Sequence, residues 1–179
     1  MKTSFKQLFN EDKVQTDKNV WEDYLNKYDE LSTAVKFMNE VEILFPDGEI
    51  LIVGGVPRDM LMGIEIDDVD MATNIPIDDI SKHFKVANIS KNDTQPVYAV
   101  TYGDYVYDLA MFRTDSSDIG RSNNKSVIAN TFEKDSARRD ATINSFGIDA
   151  DGQVHDFQGG IDDLKNKIIR AVGDPKQRF

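Results

Sequence analysis

The sequence predicts an α/β (α+β) fold, a small mixed sheet with helices on one side and an added N-terminal helix. Three observations carry that expectation. Apolar residues recur at helical spacing from Val20 onward. The short apolar run "ILIV" is closed by two glycines and then followed by a helical pattern. "PVYAVTY" and "YVYDLAMF" alternate as strands around Gly103 and Asp104. At 179 residues the chain suits one domain of ordinary size with an appendage. The expected division is an N-terminal arm and amphipathic helix over 1–48 and a head over 49–179.

Taken in order, the residues up to about Asp17 are polar and without period, which predicts a loosely docked arm. Trp21, Tyr24, Leu25, Tyr28, Leu31, Val35, Met38 and Val41 then mark one face of a single long amphipathic helix. Asn19 and Glu22 are placed as its capping box, and the Pro46, Asp47, Gly48 turn ends it. The stripe can pack on the head or mediate self-association into a homo-oligomer, and the sequence leaves both open. "GEILIVGG" is a strand, "VPRDMLMG" a short helix with Pro57 in its first turn, and "IDDVDMAT" a second strand; "IDDISKHF" after Pro76 starts another helix. The strands on either side of Gly103 and Asp104 form a hairpin with a two-residue loop. "TDSSDIGRSNNKS" is expected to be a loop, "EKDSARRDATINSFGI" a helix at first, and "IDADGQVHDF" a hairpin through Asp151 and Gly152. "GGIDDLKNKIIRAV" is a last short helix.

Composition narrows the chemistry. Cysteine is absent, which removes disulfides and thiolate metal sites and is compatible with a reducing, cytoplasmic setting. No apolar run approaches the roughly 20 residues of a membrane span, and "MKTSFKQLFNEDK" lacks the apolar core of a signal peptide, so no membrane is expected. The net charge of −11 argues against a long basic footprint on nucleic acid. Any activity on a polyanion must rest on a small site, on bound metal ions or on a basic partner.

Asp68 and Asp70, at i and i+2 on a strand, point to the same side and suit one or two Mg²⁺ ions. A metal pair about 3.5–4 Å apart can activate an attacking hydroxyl and stabilise a leaving pyrophosphate, as phosphoryl and nucleotidyl transfer require. The D-x-D pattern alone is weak, because Asp149 and Asp151 repeat it in an evident turn. Context separates the first pair: Gly54 and Gly55 precede a helix whose N–H groups can approach phosphate, and Arg58 lies in its first turn. The plain alternative is a tight turn with an Arg58–Asp59 ion pair. Asp108 stands inside an apolar strand, where a carboxylate is paired, bound to metal, or on the solvated face of the hairpin. His83 and His155 are the only histidines and read as structural or solvated.

The string "VGGVPRDMLMGIEIDDVDMAT" resembles the first signature of the tRNA nucleotidyltransferase and poly(A) polymerase family, which includes bacterial CCA-adding enzymes. "YDLAMFRTD" resembles its third-acid strand, "KDSARRDATIN" its second signature, and "DFQGGIDDLKNKIIRAVGDPKQRF" the end of its head domain. The resemblance runs from about Ile52 to Phe179 in the family's order and implies a polymerase β-like nucleotidyltransferase head. It implies a catalytic, metal-binding pair at Asp68 and Asp70, with Asp108 at the third carboxylate that helps activate the 3′-hydroxyl. It further implies nucleotide contacts at Gly54, Gly55, Arg58 and Arg139, with Asp140 and Asn144 holding the loop and the ribose; Asp140 is equally placed to pair with Arg138. The implied activity is Mg²⁺-dependent, template-independent nucleotidyl transfer from an NTP (CTP or ATP) to an RNA 3′ end, tRNA first among acceptors, with two Mg²⁺ ions as cofactor.

The sequence departs from the family at Pro57, at Asp108 where Glu is usual, and after "GDPKQRF". Base-selecting and tRNA-holding helices follow that motif in the family. One expectation is therefore a second polypeptide that supplies neck, body and tail helices; a cloned fragment is the alternative. Two competing readings are a minimal nucleotidyltransferase for another RNA, protein or small molecule, and a non-catalytic nucleotide-binding or docking module.

Overall fold

The computed structural model describes residues 2–4, 20–90, 96–114 and 127–178. Its strands in chain order are β1 (Lys2–Ser4), β2 (Ile50–Val53), β3 (Asp70–Thr73), β4 (Lys85–Asn88), β5 (Val97–Tyr102), β6 (Tyr105–Met111), β7 (Arg113–Thr114), β8 (Val127–Ile128), β9 (Gly147–Ile148) and β10 (Gln153–His155). The helices are α1 (Val20–Lys27), α2 (Asp29–Leu44), α3 (Gly55–Met62), α4 (Ile77–Ile80), α5 (Phe132–Ser136), α6 (Gly160–Lys165) and α7 (Pro175–Arg178), with a 3₁₀ turn at Thr142–Asn144. The main sheet has the order β1-β10-β9-β2-β3-β6-β5-β4, and β7 and β8 form a separate ribbon. It is mixed: β3 and β6 run parallel, while the other pairs are antiparallel.

The expected N-terminal helix is two helices. Tyr28 leaves helical geometry at φ −120°, ψ 101°, and Asp29 and Glu30 restart the helix with acids in the first turn, where the helix dipole favours them. The capping residue Asn19, most of the arm and all of the expected loop over 114–126 except Thr114, which ends β7, lie outside the described residues. Within the arm, Lys2–Ser4 is not loose but pairs with β10, Thr3 opposite Val154. β4, β7, β8 and α7 were not expected from pattern, since none is long enough to show a period. The predicted hairpin is present, with Tyr102 opposite Tyr105 across Gly103 and Asp104.

The stripe of α2 faces the sheet. Leu31, Ala34, Phe37, Met38 and Val41 are fully buried in one cluster with Ile50, Ile52, Met71, Leu109 and Ile148. Each large side chain so buried contributes about 1.5–3 kcal/mol, so the helix is seated by its apolar face. Two tyrosines fix it laterally: Tyr107 Oη donates to the Glu30 carbonyl at 2.9 Å and Tyr102 Oη to Glu40 Oε2 at 2.8 Å. Burial, first, holds the Tyr107 phenol far above its usual range. α1 is seated by Trp21, whose ring lies against Gly152; a Cβ there would come within 2.7 Å of it.

Alternate residues on the same strands face the other way. Leu51, Val53 and Ala72 join Phe112, Ala129 and Phe132 in a second, smaller cluster. α5 therefore packs on the opposite face from α2, where the pattern predicted helices on one side only. It is this second face that carries the acids.

Candidate functional site

Strand register decides which acids meet. Met71 pairs with Leu109 and Ala72 with Ala110 in the parallel β3–β6 ladder, so Asp70 and Asp108, each one residue earlier, stand side by side on adjacent strands. Both are solvent-facing in strands whose neighbouring residues are buried, and they share the face of Ala72 and Ala110. Asp68 lies two residues before Asp70, in the exposed connection leading into β3 rather than on the strand itself. Of the expected alternatives for Asp108, the solvated face of the hairpin is the one observed, and the parallel register also sets it beside Asp70.

The three carboxylates repel. The pKa of Asp70 is raised, first by the protein packed around it, then by the charges of Asp108 and Asp68, while Arg139 pulls the other way. Solvent still reaches the carboxylate, which moderates the first effect. Among the described residues, no group of three or more His, Cys, Asp or Glu side chains is gathered closely enough to hold a metal ion. The donors nonetheless suit a hard divalent cation in kind: all are carboxylate oxygens, and like charges held on one sheet face are relieved by a cation.

Gly54 closes β2 at φ 78°, ψ −132°, a region essentially reserved for glycine. A Cβ at this position would lie 3.1 Å from Asp70 Oδ2, so the missing side chain lets the turn approach the carboxylate. Gly55 opens α3, and its own added Cβ would touch Arg58 Nη2 and Asp59 Oδ2, each at 3.4 Å. Arg58 donates from Nε and Nη2 to Asp59 at 2.8 and 3.0 Å, and from Nη1 to Asn144 Oδ1 at 2.8 Å. The plain reading of Arg58 as an ion-pair partner of Asp59 is therefore present, and the same guanidinium ties α3 to the 3₁₀ turn 86 residues later.

Arg139 lies close enough to Asp70 for its charge to be felt there. It donates to Asp135 Oδ2, and its guanidinium stands 5.6 Å over the Phe132 ring. Arg138 takes Asp135 Oδ1, not Asp140. Asp140 is exposed and accepts the Ala141 N–H at 2.7 Å, which removes the expected Arg138–Asp140 pair. Asp135 is the residue that sequence reasoning passed over. Its signal was readable in "DSARR", where Asp at i faces Arg at i+3 and i+4 once the segment turns helical.

Asp149 of the second D-x-D pattern and the two histidines have structural contacts. Asp149 accepts the Gln153 N–H at 2.8 Å and holds His155 Nε2 at 2.8 Å across the β9–β10 hairpin. His83 packs its ring edge against Phe45 at 5.7 Å. Among the described residues no helix is long and apolar enough to cross a membrane.

Comparison with known proteins places these features in a family. Residues 50–170 match the Poly A polymerase head domain. The CCA-adding enzyme of Lactobacillus helveticus is 36% identical over 148 residues, which is 81% of this chain and 37% of that protein. That of Bacillus subtilis is 35% identical over 148 residues, with the same shares of 81% and 37%. The crystal structure of Bacillus stearothermophilus CCA-adding enzyme in complex with CTP superimposes with a TM-score of 0.70 at 28% identity, covering 83% of this chain and 35% of that one. The chain thus spans little more than a third of the length of the curated relatives it matches.

Proposed function

Because the chain belongs to the Poly A polymerase head domain family, we propose that it carries out template-independent transfer of a nucleoside monophosphate from CTP or ATP to an RNA 3′-hydroxyl in the cytoplasm, with tRNA as acceptor. The observation that carries this reading is the juxtaposition of Asp70 and Asp108 on adjacent parallel strands, with Asp68 just upstream and the turn at Gly54 against Asp70. The CTP bound by the B. stearothermophilus enzyme and the CCA-adding activity named for the relatives support the substrate class.

In this reading Asp68, Asp70 and Asp108 are the carboxylates that would hold two Mg²⁺ ions. Those ions, when bound, would lower the pKa of the attacking hydroxyl and offset charge on the leaving pyrophosphate. Arg58 and Arg139 bind triphosphate oxygens, and the Gly54–Gly55 turn lets backbone approach them. Asn144 orients Arg58 through its carbonyl, and Asp140 braces the turn before it. The 3′-oxygen attacks the α-phosphorus, the bond to the β-phosphate oxygen breaks, and pyrophosphate leaves. In the same reading Asp108 helps to remove the hydroxyl proton, a role that its solvent-facing position beside Asp70 supports. Base selection and RNA holding fall to a further helical portion, on this polypeptide or on a second one, which is in keeping with the acidic charge of the present sequence.

The test is incorporation of labelled CTP and ATP, separately, into tRNA lacking its terminal CCA, with Mg²⁺, by this chain alone and with a helical partner added. Asp68→Ala and Asp70→Ala are each expected to remove nearly all transfer while leaving the circular dichroism spectrum unchanged. Retained transfer in either variant would sink the assignment.

A further inference from the structure

Asp135 does more than close a loop. Its carboxylate is fully buried, and both oxygens are engaged by cations. Oδ1 accepts Arg138 Nε and Nη2 at 2.9 and 2.7 Å and the Arg113 backbone N–H at 2.9 Å. Oδ2 accepts Arg139 Nε and Nη2 at 3.2 and 2.9 Å. One negative charge thus holds two guanidinium groups, and the cluster carries a net positive charge beside the acids of the second sheet face.

The geometry leaves Arg139 with a defined working edge. It spends the Nε/Nη2 side on Asp135 and rests its face over Phe132, so Nη1 has no hydrogen bond among the described residues. The base of this arrangement is rigid. Phe132 is fully buried in the second cluster, its N–H donates to Glu49 Oε2 at 3.1 Å, and Gln158 reaches Ser136 Oγ at 3.1 Å. α5 is therefore tied to the start of β2 and to the segment before α6, and neither tie involves the acids.

Resting on the functional reading above, we infer that Asp135 is a positioning residue that fixes Arg139 for triphosphate binding. It touches no substrate itself. A guanidinium already ordered by a buried carboxylate loses little side-chain freedom when phosphate arrives, and the second cation on the same carboxylate keeps Asp135 from neutralising Arg139 completely.

The experiment measures Kd for labelled CTP, with Mg²⁺, by equilibrium dialysis on the wild-type chain and on Asp135→Asn, Arg139→Ala and the double variant. Asn presents only one acceptor oxygen, so it cannot serve both arginines. Asp135→Asn and Arg139→Ala are each expected to weaken binding by about tenfold to a hundredfold, the range of one charge-assisted contact, and the double variant to bind no worse than Arg139→Ala. A folded Asp135→Asn protein that binds within about twofold of wild type, or a double variant that shows the product of both losses, overturns the inference. Should Asp135→Asn fail to fold, Arg139→Lys decides: it keeps the charge but not the fork, and wild-type affinity in that variant would show that Asp135's grip is irrelevant. A wild-type chain that binds no nucleotide overturns the functional reading as well, whereas binding with an unaffected Asp135→Asn overturns only this inference.

Discussion

Replacing Phe132 by Ala tests how α5 is seated, and its size can be worked from the packing. The ring is fully buried, 5.7 Å from Phe112 and 6.3 Å from Phe157 between centroids, and so close over Gly147 that a Cβ there would meet its Cε1 at 2.8 Å. Truncating a fully buried Phe costs about 3–5 kcal/mol in transfer and cavity terms. Phe157 is 36% exposed and can lean into the gap, which favours the lower half of that range. At about 2–4 °C per kcal/mol for a domain of this size, a cost of about 3–4 kcal/mol should lower the melting temperature by roughly 6–16 °C. Urea denaturation with an unchanged m value would show that the folded state, not the unfolded one, was altered. Phe132→Leu keeps much of the apolar volume and should cost less than half as much. A loss below about 1.5 kcal/mol for Phe132→Ala would mean that the second cluster does not hold α5, and the reasoning about Arg139 would lose its base.

Other residues give expectations of known sign. Asp70→Asn should raise the melting temperature at neutral pH, because crowding and the charges of Asp108 and Asp68 raise the wild-type pKa. The folded wild type then holds its proton more tightly than the unfolded chain, its stability falls as pH rises through the folded pKa, and the variant's advantage should vanish in acid below the ordinary carboxylate pKa of about 3.9. Asp163 has the opposite sign. Hydrogen bonds from Arg170, first, and Thr142 hold its pKa down, so its stabilisation is present above the ordinary carboxylate range and is lost as pH falls through the folded pKa. Asp163→Asn should melt lower than wild type at neutral pH, with the gap closing toward about pH 3. Gly54→Ala places a side chain at φ 78° and 3.1 Å from Asp70 Oδ2. It should cost about 1–3 kcal/mol in thermal denaturation and weaken CTP binding as well, and a variant matching wild type in both would refute the role given to the turn.

How much of this was legible follows from what each feature depends on. β2, the glycine turn and α3 were readable because they are local: an apolar run, φ-permissive residues and a helix start lie within 13 residues, from Ile50 to Met62. The break at Tyr28 was not, because a helical stripe continues through it and only the paired acids Asp29 and Glu30 hint at a new start. β1 and β4 could not be seen, since three or four residues of polar strand exist only by virtue of the partner they add to. At the site, the types of Asp68, Asp70, Arg58 and Arg139 were all readable. Their partners were not, because pairing Asp70 with Asp108 needs the parallel register, and pairing Arg58 with Asn144 spans most of the head. Asp135 was passed over for another reason. Its spacing to Arg138 and Arg139 was readable, but in so acidic a chain that spacing does not separate a buried holder of two arginines from a solvated surface pair until burial is known.

That same acidity bears on how the proposed site would receive a nucleotide. With 32 acidic residues against 21 basic ones, diffuse positive potential cannot draw a triphosphate to this surface. The two arginines proposed to receive the triphosphate are instead held individually, Arg58 by Asp59 and Asn144, and Arg139 by Asp135 and Phe132. Each is partly neutralised by its holder, which weakens long-range attraction but fixes the direction of the donors that remain. Short-range, directional contacts of this kind are screened little by salt, whereas a steered encounter is screened strongly. Nucleotide affinity in this chain should therefore respond weakly to ionic strength and sharply to the loss of either holder. A steep salt dependence of CTP binding would mean that field, not fit, brings the nucleotide in.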